Sequence, residues 1–108
     1  MNIEQLNGIC MEMISNAGEG RGLIFEAMNE MLSGNYEKAE KKLNEAEEML
    51  SEAHRIQFEE LMAPQNKGVE VPFSMLLLHA MDLTMISTSE HDMLHAILVS
   101  RMGKDEEK

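Results

Sequence analysis

The chain has 108 residues, room for one domain of ordinary size and not for two. Aromatic residues make up only 4%, tryptophan is absent, and leucine, methionine, alanine and isoleucine carry most of the 44% hydrophobic content, a mixture that suits helices rather than sheets. Twenty acidic residues against nine lysines and arginines leave a net charge of −11, which repels phosphodiester backbones and anionic bilayers, so nucleic acid and membrane surfaces are excluded as expected partners.

The single cysteine, Cys10, cannot form an internal disulfide, and no charged-then-apolar leader opens the chain. The longest apolar run is interrupted by His79 and Asp82, well short of the ~20 residues that span a bilayer. A cytoplasmic protein without membrane insertion is expected.

The first helix is predicted over about residues 2–32. Ile3, Leu6, Ile9, Cys10, Met13, Ile14 and Ala17 recur at helical spacing, and Leu23, Ile24, Ala27, Met28, Met31 and Leu32 resume the stripe. Between them stands Gly18-Glu19-Gly20-Arg21-Gly22, where each glycine costs about 1 kcal/mol relative to alanine. The spacing predicts a bend near 18–22 or a close helix contact. A phosphate-cradling glycine loop is disfavoured, because no strand pattern precedes it and no Lys-Ser or Lys-Thr follows.

Ser33-Gly34-Asn35 is a stop signal, with Gly34 suited to the left-handed position after a helix. A second helix is predicted over about 35–63, its stripe formed by Tyr36, Ala39, Leu43, Ala46, Leu50, Ala53 and Gln57 and the positions between filled by glutamate and lysine. The charge run reads as a solvated face. Gly34-Asn35-Tyr36-Glu37-Lys38-Ala39 also looks like a tetratricopeptide helix start, but the chain has no self-similarity at the roughly 34-residue period.

Pro64, Gly68 and Pro72 predict a loop over 64–72, and a third helix over about 73–102. From Phe73 to Ile86 this helix is apolar almost all round, more than one bundle partner can cover, so part of it is expected to face another subunit. The tail Gly103–Lys108 looks frayed. The whole reads as one all-α domain over residues 1–108, an antiparallel three-helix bundle.

Within that apolar stretch His79 and Asp82 stand three residues apart, on one helical face. An imidazole can be buried neutral at modest cost, but a buried carboxylate needs a cationic or hydrogen-bonding partner. A neutral imidazole is also a good nucleophile near neutral pH, and its phosphoramidate is labile enough to pass a phosphoryl group onward.

Asn16-Ala17-Gly18, Arg21, Glu26-Ala27, Ser33-Gly34-Asn35-Tyr36-Glu37-Lys38-Ala39, Ala53-His54 with Gln57, and Leu76-Leu77-Leu78-His79-Ala80-Met81-Asp82 occur in an order that resembles the lactose/cellobiose-type enzyme IIA of the bacterial sugar phosphotransferase system. The resemblance covers nearly the whole chain. It implies a homotrimeric nine-helix bundle and a phosphocarrier whose histidine, here His79, takes a phosphoryl group from the histidine-containing phosphocarrier protein and gives it to the sugar-specific enzyme IIB. It also implies that Asp82 lies at the trimer axis and binds a divalent cation, expected to be magnesium. Three carboxylates on an axis repel one another unless a cation takes them as oxygen ligands. The chain departs from the family's usual His-Ala-Gln-Asp-His word at Met81 and Leu83, where two polar groups beside the site are replaced by apolar ones.

Other readings compete. His91 and His95, spaced i and i+4 in His91-Asp92-Met93-Leu94-His95, look like a zinc-metalloprotease helix with Asp for Glu, but spacing fixes no third ligand and a solvated helix end is the plain alternative. His54 suits a surface or interhelical hydrogen bond. Cys10, on an apolar stripe, suits a buried structural thiol. The 12 methionines fit either a core or an adaptable binding groove, which leaves an acidic helical adaptor, or a family member that regulates by contact, as the alternative to a phosphocarrier.

Overall fold

In the computed structural model, residues 1–103 are described and are helical apart from short connections, with no strand among them. The elements are α1 (Ile3–Leu32), α2 (Tyr36–Gln57), a π-helical turn (Phe58–Met62), the short α3 (Ala63–Asn66) and α4 (Met75–Met102). Residues 104–108, most of the tail expected to fray, lie outside the described residues.

Helix α1 begins at a complete capping box. The Asn2 side chain accepts from the Gln5 backbone N–H at 2.7 Å, and the Gln5 side chain accepts from the Asn2 N–H at 2.9 Å. The helix then runs unbroken through Gly18, Gly20 and Gly22. Of the two outcomes expected for these glycines, close contact is found at Gly20. A Cβ there would stand 3.0 Å from Leu50 Cδ2 and 3.3 Å from the Ala46 carbonyl oxygen of α2, whereas Gly18 and Gly22 have nothing within 4 Å.

Gly34 takes φ +83° and turns the chain between α1 and α2. The stripe of α2 packs inward as Ala39, Leu43, Ala46, Leu50 and Ala53, but the last buried position is Ile56 rather than Gln57.

The helix does not stop before Pro64 as expected. Proline lacks an N–H, and its ring crowds the carbonyl four residues back. The backbone meets this by widening into the π-turn, where Ala63 N–H bonds Phe58 O, and helical structure continues through Pro64 to Asn66. The loop therefore falls at residues 67–74, with Gly68 in the left-handed region at φ +96°. Helix α4 starts two residues later than predicted, at Met75, after Ser74, whose Oγ accepts from the Leu77 N–H at 3.2 Å.

Two apolar clusters fix the helix directions. At one end Leu6, Cys10 and Met13 of α1 pack with Ile56, Leu61 and Ala80, and at the other Ala27 and Met31 pack with Leu43, Leu94 and Leu98. Helices α1 and α4 are thus parallel and α2 runs against both, an up-down-up bundle with extents of 49 × 27 × 16 Å. Arg21 of α1 clamps Glu90 of α4 through two hydrogen bonds, at 2.9 and 3.0 Å. Among the described residues no helix is long and apolar enough to cross a membrane.

Candidate functional site

The face that α4 turns inward is built from Ala80, Thr84, Ser87, His91, Leu94, Leu98 and Val99. These are mostly small or polar near the start of the helix, and they leave the larger apolar side chains pointing away. Met75, Leu78, Met85, Ile86, Met93 and Ile97 are exposed, Met85 at 63% and Met93 at 64%.

His79 and Asp82 sit on this outward side and are exposed in the single chain. The expectation that both are buried fails for one subunit, because the leucines and methionines around them are themselves uncovered. Asp82 makes no hydrogen bond or ion pair with any described residue. Three residues apart, the imidazole and carboxylate share one face, with Met75 and Ile86 flanking His79 one and two turns away.

At about 100° per residue, Met81 lies roughly 200° around the helix from His79 and Leu83 only about 40°. Met81 therefore borders a different feature, an apolar groove of about 310 Å³ lined by Leu61, Met62, Val71, Phe73, Leu77 and Leu78 among others. Leu83 is half-buried against the larger core cluster. Of the two departures from the expected motif, only Leu83 neighbours His79 within the chain.

The remaining histidines are placed differently from one another. His54 of α2 donates from Nε2 to Thr88 Oγ1 at 3.0 Å, and Thr88 donates onward to the Thr84 carbonyl at 2.8 Å, the interhelical bond expected of it. His91, expected at a solvated helix end, is instead 8% exposed and is the most buried histidine, because its position falls on the inward stripe with Ser87 and Leu94. Its Nδ1 lies 3.0 Å from Asp92 Oδ1, and its ring stacks on that of His95 with centroids 6.0 Å apart and planes within 5°. Among the described residues, no group of three or more His, Cys, Asp or Glu converges on a point that could hold a metal ion. The third ligand a catalytic zinc needs is thus missing beside His91 and His95. Cys10 is fully buried, and desolvation pushes its thiol up from the ordinary range, which keeps it protonated and unreactive.

The model of the lactose/cellobiose-specific IIA subunit family of the phosphotransferase system matches residues 8–101. Among individual proteins, the chain is 35% identical to a lichenan-specific phosphotransferase enzyme IIA component of Bacillus subtilis over 95 residues, covering 88% of this chain and 86% of that one. It is 29% identical to a lactose-specific EIIA component of Staphylococcus epidermidis over 104 residues, 95% and 99% of the two chains. Among solved structures, PtcA from S. mutans superposes with a TM-score of 0.87 at 33% identity, over 91% of this chain and 95% of that one. The cellobiose-specific enzyme IIA from Bacillus anthracis superposes with a TM-score of 0.82 at 26% identity, over 91% and 87%.

Proposed function

Since this chain belongs to the lactose/cellobiose-specific IIA family, we propose that it is a cytoplasmic phosphocarrier that accepts a phosphoryl group on His79 from the histidine-containing phosphocarrier protein and passes it to enzyme IIB. The observation that carries this reading is the exposure of His79 on α4. A relay nucleophile must meet two different proteins in turn, and a buried imidazole such as His91 could meet neither.

A lone pair of the neutral His79 imidazole attacks the phosphorus of the donor's phosphohistidine. A new P–N bond forms as the donor's P–N bond breaks, the proton on the other nitrogen of the His79 ring is released, and the donor's imidazole takes up one proton to leave as the neutral base, so that protons balance. The reverse sequence delivers the group to the nucleophile of enzyme IIB. Transfer of this kind rests on positioning and charge neutralisation rather than on covalent chemistry by the surroundings. The rigid α4 backbone supplies the positioning, and Leu83, one turn beyond His79, presents no donor to the phosphoryl oxygens.

The outward stripe of α4 supports assembly as a homotrimer, a nine-helix bundle in which three copies of α4 cover one another. Large exposed apolar patches on a soluble chain mark such interfaces. Asp82 lies within that stripe and has no partner of its own, so three copies about an axis would bring three carboxylates together. One carboxylate cannot hold a divalent cation, but three oxygen donors fit one, with magnesium the expected ion. The cation would neutralise the charge that otherwise forces the helices apart.

Incubation with phosphoenolpyruvate and the general phosphotransferase proteins tests the relay. The wild type should gain about 80 Da per chain, in an acid-labile, base-stable linkage. His79→Gln should fold and accept nothing, while His54→Gln, His91→Gln and His95→Gln keep labelling. Labelling that survives in His79→Gln overturns the assignment. A wild type that stays unlabelled points to the contact regulator, and Leu83→His should then restore more activity than Met81→Gln. In magnesium buffer free of transition metals, Asp82→Leu should remove the response of the assembly's thermal midpoint to chelator, since an apolar substitute often matches a buried charge. Equal midpoints for the wild type with and without chelator would argue against a bound cation.

A further inference from the structure

We propose that His91 and His95 form a second metal site, a two-nitrogen chelate on α4 for a borderline divalent transition-metal ion of the zinc type, separate from the relay histidine. Two residues four apart on a helix project one above the other, and their ring centroids already lie 6.0 Å apart. Two imidazole nitrogens at about 2.0–2.1 Å from a shared metal bring ring centroids to roughly 5 Å. In the stack the in-plane lone pairs of the two rings do not converge, so chelation needs the half-buried His95 to turn its ring out of the stack by side-chain rotation, which also brings the centroids about 1 Å closer.

The state of His91 is set by its neighbour. An ionised carboxylate only accepts, so the Nδ1 that lies 3.0 Å from Asp92 Oδ1 carries the ring proton. The lone pair of the neutral ring is then on Nε2. That nitrogen makes no hydrogen bond to a described residue. Among the described residues Ser87 Oγ is the one buried side-chain nitrogen or oxygen without a partner, so His91 Nε2 still reaches solvent. A histidine oriented by a carboxylate through one nitrogen and free at the other is the arrangement that metal-ligating histidines adopt. Because no third His, Cys, Asp or Glu converges there, water completes the coordination. The site is therefore open, weaker than a structural zinc site and removable by chelator.

The two histidines stand nine and thirteen residues beyond Asp82, which places His91 about 13 Å further along the helix axis. They also lie on the inward half of α4 rather than on its outward stripe, so a bound ion would link two successive turns of α4 and leave the outward face untouched. Binding to the folded chain alone stabilises it by mass action.

Zinc titration by calorimetry, on chelator-stripped protein in both the wild type and the Asp82→Leu variant, is the test. One zinc should bind per chain in the Asp82→Leu background. His95→Gln should abolish it, and Asp92→Asn should weaken it about tenfold or more. His54→Gln and His79→Gln should leave it unchanged. His91→Gln touches the core, so the less buried His95 carries the argument. As a second readout, zinc should raise the thermal midpoint of Asp82→Leu but not of the double variant Asp82→Leu, His95→Gln. The proposal is overturned if Asp82→Leu takes up no zinc, or if His95→Gln binds as the parent does.

Discussion

Helices α2 and α4 solve the same problem in opposite ways. The inward face of α2 is a regular stripe of alanine, leucine and isoleucine, and its outward face is charged. Arg55 there bridges Glu52 and Glu59, and Lys42 reaches Glu26 of α1 at 2.9 Å. The inward face of α4 begins with Ala80, Thr84, Ser87 and His91, while its outward face holds the methionines. A helix that turns its larger apolar side chains to the outside is not finished by its own chain. The difference teaches that α2 is a wall of the bundle, while α4 keeps a face for further cover, which is where the proposed trimer axis runs and where His79 stands.

Substitution on the two faces of α4 should break this comparison most visibly. Leu98 is 1% exposed, and Leu98→Ala should lower the unfolding free energy by about 2–5 kcal/mol through the cavity it leaves. Met85→Lys, on the outward stripe, should instead leave the fold of the single chain in place and convert a species of three times the chain mass into one of 12.2 kDa. Sedimentation with parallel denaturant melts separates the outcomes. A wild type that sediments as a monomer at micromolar concentration would defeat the placing of a trimer axis along that face of α4.

Much of this was legible in the sequence for plain reasons. The alternating stripe of α2 and the Gly34 stop are local signals, and local signals fix helix identity. The exposure of His79 was not legible, because an apolar surrounding in sequence says nothing about whether one chain or three supply the cover. Nor was the inward place of His91. Its register follows from packing Ala80, Thr84 and Ser87 against α1 and α2, and a stripe of small and polar residues gives a weak hydrophobic pattern. Pro64 misled because a π-turn can absorb the lost hydrogen bond, which depends on the backbone five residues back rather than on the proline itself.

The glycines of α1 sharpen the comparison at a smaller scale, since they sample an inward and an outward face of one helix. Gly18→Ala and Gly22→Ala, with open space around the new Cβ, should stabilise by about 0.5–1 kcal/mol from helix propensity. Gly20→Ala meets Leu50 at 3.0 Å and the Ala46 carbonyl at 3.3 Å. Leu50 can turn aside but the carbonyl cannot, so overpacking should cancel the propensity gain and leave the variant about 1 kcal/mol less stable than wild type. Denaturant midpoints at constant m-value read the sign directly. If all three glycines respond alike, the close approach of α1 and α2 at Gly20 is not energetically felt.

The smallest effect belongs to the charged face of α2. The Arg55 guanidinium that hydrogen-bonds Glu52 holds its carboxyl below the usual range, against the desolvation that would raise it. A carboxylate whose folded value is depressed contributes its stability above the unfolded value, near 4.5, and loses it as pH falls through the lower folded value. Stability should therefore decline below about pH 4.5 slightly less in Glu52→Gln than in wild type. Because the pair is solvent-exposed, the difference should be small and should shrink in 1 M salt, where screening reaches about 3 Å. An equal loss at low and high salt would mean that the outward face of α2 contributes through packing of the Arg55 stem rather than through charge, which would bring it closer to α4 than the contrast between the two helices allows.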